Sequence, residues 1–302
     1  MKSVLKIDTV NDYNMLVDHD TLHPLVSVIN FANTKPNRNT TIAALNFGFY
    51  AIFLKEDSQH CTIRYGRNKY DYQKGTLVFI APGQVVSIEE DGQDYQPEGL
   101  ALLFHPDLLR GTSLTQKLKD YTFFSYDVHE ALHLSQTERE IVLDCLKKIQ
   151  LELRQGIDKH SKILIVSNIE LFLNYCVRFY DRQFITRDHS NRGVLQQFET
   201  LLSKYFQSDK LQTAGVPTVT LCAHELNLST NYFGDLIKKE TGKTAQEYIH
   251  LKLLDVAKEK IFDSTKSLSE IAYELGFKYP QHFSRFFKQH LGMSPNEYRN
   301  LN

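Results

Sequence analysis

The amino-acid sequence predicts an α+β multidomain protein: an antiparallel β barrel with an α-helical hairpin, then an all-α domain of about seven helices. Three observations predict it. Short apolar and aromatic runs broken by turn residues fill the stretch from Ile42 to Phe104. Two long segments of helical periodicity follow. A motif with a period of about 50 residues then occurs twice before the C-terminus. The chain has 302 residues, 42% hydrophobic and 24% charged, which suits two ordinary globular domains. The boundaries expected are 1–130 for the barrel domain, 131–182 for the hairpin, 183–194 for a linker and 195–302 for the all-α domain.

The strand runs are Ile42–Phe47, Tyr50–Leu54, Cys61–Tyr65, Thr76–Ile80, Val85–Ile88 and Leu100–Phe104. Lys74-Gly75, Pro82-Gly83 and Asp91-Gly92 punctuate them. Strands this short in succession make a small antiparallel barrel or sandwich.

Ser135-Gln-Thr-Glu138 is a capping box, in which the serine accepts from a backbone N–H and the glutamate reaches back. It opens a helix with Ile141, Val142, Cys145, Leu146, Ile149 and Leu153 on one face. A second helix is expected from about Lys159 to Arg182, with Ile163, Val166, Ile169, Leu173, Cys176 and Val177 at helical spacing. The pair forms a hairpin whose remaining apolar face either packs on the barrel or joins two copies of the chain. The polar run from Asp181 to Arg192 reads as the interdomain linker.

The repeat aligns Ala223–Tyr248 with Ala272–Tyr298, the second copy having one extra residue in its turn. Beyond the turn the offset is 50: Phe233 matches Phe283, Ile237 matches Phe287, Lys238 matches Lys288 and Gly242 matches Gly292. Each copy spells helix, turn, helix, stop, at about 219–240 and 268–291. In the second, Ser267-Leu-Ser-Glu270 is a capping box and Ile271, Ala272 and Leu275 form the apolar face. Gly276 takes the left-handed position after the helix, and Pro280 starts the next one. That helix is expected to bury Phe283, Phe286 and Phe287. A further helix joins the copies, from Ala245 to about Phe262; roughly 18 residues at about 1.5 Å each span about 27 Å.

This is a helix-turn-helix arrangement, in which the second helix can enter a DNA major groove. Arg285 can donate two bonds to guanine and Gln281 can pair with adenine. His282 and Ser284 share that face, and Lys278 and Lys288 suit phosphate. Thr230, Asn231 and Tyr232 are the corresponding candidates in the first copy. Charge alone does not point to nucleic acid. The chain is −1 overall, and Leu195 onward carries 13 basic and 12 acidic residues.

The run Ile271-Ala-Tyr-Glu-Leu-Gly-Phe-Lys-Tyr-Pro-Gln-His-Phe-Ser-Arg-Phe-Phe-Lys-Gln-His-Leu-Gly-Met-Ser-Pro-Asn-Glu-Tyr-Arg299 closely resembles the signature of the AraC/XylS family of bacterial regulators. The likeness is strong from about Gln196 to Asn300. Tyr72-Gln-Lys-Gly-Thr-Leu-Val-Phe-Ile-Ala-Pro-Gly-Gln84, with Leu103-Phe-His-Pro-Asp107, is similar to the cupin-like sensor half of the same family. The resemblance implies sequence-specific promoter binding, sensing of a small-molecule effector or a partner by the barrel, dimerisation through the helices and recruitment of RNA polymerase, with activation the commoner outcome. The first copy departs from the family: Asn231, Gly234 and Asp235 stand where larger polar or basic residues are common. The second copy is therefore expected to do most of the base reading.

Other chemistry is weighed and set aside. His60 and His105 do not make a metal cluster, and Gln84-Val-Val-Ser stands where a metal-binding cupin offers histidine, so no metal or cofactor is expected. Tyr50, Phe53, Arg64 and Tyr72 are the effector-binding candidates; Tyr65, Arg67 and Tyr70 belong to the same stretch, and for each a place in the core or at the surface competes. His129 and His133 lack a third ligand nearby. Similar double helix-turn-helix modules also occur fused to alkylation-repair enzymes, but Cys61, Cys145, Cys176 and Cys222 lack the basic neighbours that activate a thiol. A non-enzymatic protein is expected. The N-terminus has no apolar run of signal-peptide length, and no bilayer-spanning stretch was expected anywhere, which together predict a cytoplasmic location and no membrane partner.

Overall fold

The computed structural model describes residues 4–34, 44–56, 61–65, 68–69, 75–90, 98–127, 130–186, 188–263 and 265–300. The chain divides into two compact units, Met1–Thr186 and Arg187–Asn302.

The first unit holds two five-stranded sheets. Its strands are β1 (Val4–Ile7), β2 (Val26–Asn30), β3 (Ala44–Phe47), β4 (Tyr50–Lys55), β5 (Cys61–Tyr65), β6 (Asn68–Lys69), β7 (Thr76–Ile80), β8 (Val85–Glu90), β9 (Gly99–Phe104) and β10 (Leu132–His133). One sheet runs β1-β3-β8-β5-β6, the other β10-β7-β4-β9-β2. The six strands legible in the sequence are all present. β1, β2 and the helix α1 (Val10–Leu16) between them were not expected.

The expected cupin-like barrel is corrected in two ways. Among the described residues the sheets do not close on one another, and β1 runs parallel to β3. At the β2 edge Gln150 donates from Nε2 to the Val28 carbonyl at 3.4 Å.

Period-two alternation places β4 between two cores. Ala51 and Phe53 join Ile7, Leu45, Phe47 and Val86 of the first sheet in one cluster, with Tyr13 of α1. Ile52 and Leu54 point the other way, with Leu77, Phe79, Leu102 and Phe104, all buried. Over that second face lie α4 (Gln136–Arg154), α5 (Ser161–Thr186) and the segment Thr122–Ser125. Phe79 meets Phe123 at 4.4 Å and Tyr180 at 6.1 Å between ring centroids. Two further short helices, α2 (Pro106–Leu109) and α3 (Leu114–Lys117), follow β9.

The Ser135 capping box opens α4 as the sequence indicates, and Val142, Cys145, Leu146, Ile149 and Leu153 are buried. The phase of α5 differs from expectation. Ile165, Val166, Ile169, Phe172, Leu173 and Cys176 face inward, while Ile163 and Val177 are exposed. A helix this apolar offers more than one candidate stripe, and packing on α4 and the sheet selects among them. Ser161–Phe184 is also long and apolar enough to cross a membrane by length and composition, contrary to the sequence reading. Much of its apolar surface is used in the unit's own core.

The segment 183–194, expected as a linker, begins inside this unit. Gln183 is buried at 1% exposure, accepting from His133 N at 2.8 Å and donating to Ala131 O at 3.1 Å. Arg182 holds the same region, pairing with Glu138 at 2.6 Å. The segment is the end of α5 and the start of α6 (Asp188–Gln207).

The second unit contains eight described helices: α6, α7 (Lys210–Ala214), α8 (Val219–Glu225), α9 (Thr230–Thr241), α10 (Ala245–Ile261), α11 (Leu268–Glu274), α12 (Pro280–Leu291) and α13 (Pro295–Arg299). The capping box predicted at Ser267 forms, and others form at Thr244 and Ser294. α10 buries Ile249, Leu253, Leu254, Ala257 and Ile261, and its 17 residues span roughly 25 Å.

Candidate nucleic-acid interface

Each repeat is a helix pair joined by a turn that needs a left-handed residue. In the second copy Gly276 has φ +78°, and in the first Asn227 has φ +56° at the equivalent position. Asparagine is among the few side chains that tolerate this conformation. After the turn, Leu228 N donates to Ala223 O at 2.9 Å and Phe277 N donates to Ala272 O at 3.0 Å. The sequence repeat is thus a repeat in backbone geometry.

In the second copy Ile271, Ala272 and Leu275 have no measurable exposure, and Phe283 and Phe287 are equally enclosed. Phe277 sits 5.4 Å from both Phe283 and Phe286. Phe286 is half-buried rather than buried, because it borders a groove between α10 and α12. The opposite face of α12 carries Gln281, His282, Ser284, Arg285 and Lys288, all exposed. Gln281, Ser284, Arg285 and Lys288 recur at helical spacing and form one stripe. Lys278 lies in the turn, its Nζ 5.6 Å from the centre of the Tyr279 ring, and the His282 ring meets that tyrosine edge-on at 5.3 Å. Among the described residues the ion pairs of this unit gather elsewhere, as in Lys260 and Lys266 on Glu274, and none includes Arg285.

The first copy differs. Ser229 caps α9 by accepting from Tyr232 N at 3.2 Å. Asn231 is exposed and Thr230 half-buried, but Tyr232 is buried at 5% exposure and faces the core. This corrects its placement on the reading face. A tyrosine beside Phe233 has the apolar body that the inner face requires, and its hydroxyl misled the sequence reading. Phe233 meets Phe198 of α6 edge-on at 4.9 Å. Gly234 and Asp235 take the places of Ser284 and Arg285. The two copies share a scaffold and differ in the chemistry they expose.

The rest of the unit steadies this pair. The Tyr248 hydroxyl donates to Glu199, and burial with that carboxylate pushes its pKa up to about 12. Arg299 Nε donates to Ile261 O at 2.7 Å, tying α13 to the end of α10.

Of the effector candidates, Tyr50 and Phe53 are described, and they face opposite ways. Tyr50 packs on Phe104 at 5.1 Å and Phe124 at 4.9 Å. Phe53, three residues on, points to the opposite face and meets Phe31 at 6.2 Å. Arg64 lies in β5, whose side chains are not described; Arg67, Tyr70 and Tyr72 lie outside the described residues, as do His60 and His129. A cavity of about 140 Å³ lies elsewhere, between β2 and α4, lined by His19, Ser27, Asn30, Asn33, Gln150 and Arg154 among others. These residues are distant in sequence and follow no motif, so no sequence signal joins them. His105 caps α2, accepting from Asp107 N at 3.2 Å, and His133 contacts Thr76 at 3.2 Å. Among the described residues no group of three His, Cys, Asp or Glu side chains is arranged to hold a metal ion. Burial raises the thiols of Cys145, Cys176 and Cys222, the last to about 11.

A helix-turn-helix domain family matches residues 222–301. The raffinose operon transcriptional regulatory protein RafR of Pediococcus pentosaceus is 34% identical over 124 residues, covering 40% of this chain and 43% of its own. The HTH-type transcriptional activator RhaS of Salmonella schwarzengrund is 28% identical over 135 residues, covering 44% and 46%. The chain thus spans less than half the length of these curated relatives. The C-terminal domain of AraT, a response regulator from Geobacillus stearothermophilus, covers 36% of this chain and 85% of its own at 26% identity and a TM-score of 0.32. Residues 222–301 thus form a helix-turn-helix domain of the AraC type, in the region that these transcriptional regulators share with the chain.

Proposed function

We propose that this protein is a sequence-specific transcription regulator that reads promoter DNA mainly through α12. The observation that carries the reading is the division of that helix: Phe283 and Phe287 are enclosed, while Gln281, Ser284, Arg285 and Lys288 form an exposed stripe. Arg285 supplies the bidentate donor for guanine and Gln281 the paired groups for adenine. Lys278, His282 and Lys288 contact phosphate or base edges beside them. In the first copy Thr230 and Asn231 border the DNA, and Asp235 gives that helix an anchoring more than a reading role.

The protein acts as a homodimeric activator in the cytoplasm, engaging RNA polymerase and answering a small-molecule effector through its first unit. Activation is supported by the named role of RhaS, and dimerisation by the exposed apolar side chains of α5. For the effector, the cavity between β2 and α4 is of the order of size that accepts a benzene-sized molecule, and its polar lining suits a small polar ligand.

Selection of bound duplexes from a random pool at fixed salt tests this reading. Enrichment of a block that is lost in Arg285→Ala is expected. Failure to enrich any sequence, with and without candidate effectors, overturns it.

A further inference from the structure

On the flank of α12 facing α10 lies a groove lined by Glu247, His250, His282, Arg285, Phe286 and His290, together with Gln289. His250 and His290 come from different helices, yet their rings meet edge-on at 5.7 Å and 86°. Both pack on Phe286, at 5.4 Å and 4.5 Å. His290 Nδ1 lies 2.8 Å from the Phe286 carbonyl. A carbonyl only accepts, so Nδ1 carries a proton. In the neutral ring Nε2 is then an acceptor that repels a phosphate oxygen, and in the protonated ring it is a donor.

The groove's place on the helix decides what it meets. It shares Arg285 with the exposed stripe. A helix about 10–12 Å across fills a major groove about 12 Å wide, so its flanks press against the strand backbones. We propose that the α10–α12 groove binds a DNA phosphodiester, with protonated His250 and His290 as its donors. This rests on the DNA-binding reading above.

The charged surroundings fit an anion whose binding draws protons from solvent onto the imidazoles. Burial lowers the pKa of His250, and the neighbouring His290 lowers it further, while Glu247 opposes them. Glu247 itself is engaged: its carboxylate accepts from Thr244 N at 2.8 Å and from the Thr244 hydroxyl at 2.9 Å. Lys243 and Lys238 lie near Glu247, and Arg285 and His282 complete the titratable and charged lining. Burial disfavours the charged form of His250 in the free groove, and a bound phosphate favours it, so binding takes up a proton and tightens as pH falls.

The test uses the full chain and a duplex enriched by selection at pH 8.0, with affinity read by fluorescence anisotropy at pH 8.0 and 6.0 and one salt concentration. Wild type is expected to bind about tenfold or more tightly at pH 6.0. H250Q/H290Q keeps the pH 8.0 affinity within about twofold and loses most of the gain at pH 6.0. H290K, with a fixed charge, binds more tightly than wild type at pH 8.0 and gains less at pH 6.0; it also serves if the double variant melts early by circular dichroism. A double variant that folds and retains the full gain, or a wild type that gains nothing, overturns the site while leaving the DNA-binding reading intact. A wild type that binds no duplex at either pH overturns both.

Discussion

Replacing Gly276 by alanine tests the geometry of the second helix-turn-helix more sharply than any surface substitution, because Gly292 provides an internal control. Both glycines have φ +78°. An alanine there costs about 1–2 kcal/mol for the left-handed backbone, of which about 0.4–1 kcal/mol is offset by the stiffer unfolded chain. At Gly292 an added Cβ meets nothing within 4 Å, so the net effect of Gly292→Ala is about 1 kcal/mol or less. At Gly276 the same atom collides with the Leu211 carbonyl oxygen and lies 3.0 Å from the Gly215 Cα. Both are backbone, so no side chain can swing away. Relief requires the end of α7 to move, which strains the Gly215 N–Leu211 O bond and the Tyr205 hydroxyl bond to Gly215 O, each 3.0 Å. Overpacking of about 1–3 kcal/mol and a weakened hydrogen bond of about 1 kcal/mol bring Gly276→Ala to about 3 kcal/mol or more. Urea unfolding of the full chain, followed by far-UV circular dichroism, reads the difference. A gap of about 2 kcal/mol separates the midpoints by about 1 M. Equal shifts for the two variants would refute the close approach of α7 to the turn.

Three further outcomes are expected. Arg285→Ala weakens the selected site by about 1–3 kcal/mol and relaxes preference at one base pair; an unchanged preference counts against its reading role. Thiol titration of the folded protein at neutral pH leaves Cys145, Cys176 and Cys222 slow, since burial is the leading cause raising each thiol. Fast reaction at any of these three revives the repair-enzyme alternative. Acid sensitivity follows from Glu247, Glu270 and Glu297, whose pKa values are lowered chiefly by backbone N–H bonds from Thr244, Ser267 and Ser294. A folded pKa below the unfolded one means that their contribution is present above the usual glutamate range and is lost as pH falls through the folded values. Urea midpoints should therefore decline below about pH 5, and Glu270→Gln should flatten that decline; an identical acid profile in the variant contradicts the assignment.

The second unit was legible because its signals are local. A capping box, a left-handed turn residue and an apolar stripe each act within one helical turn, and the duplication states them twice. Two aromatics lie differently from expectation: Tyr232 is buried and Phe286 is half-buried beside the groove with α10. The first unit was harder. β1 is four residues long and exposes three of them, so it does not stand out from a loop. Among the effector candidates, Tyr50 and Phe53 are an odd number of residues apart on one strand and cannot share a face.

By itself the sequence determined the element types, the duplicated helix pair and the residue chemistry of α12, because these depend on contacts among near neighbours along the chain. Tertiary structure alone decided which stripe of α5 turns inward, that the two sheets stay open, and that His250 comes to rest beside His290. Each of those outcomes joins residues far apart in the chain, and side-chain packing across that distance leaves no periodic trace in the sequence.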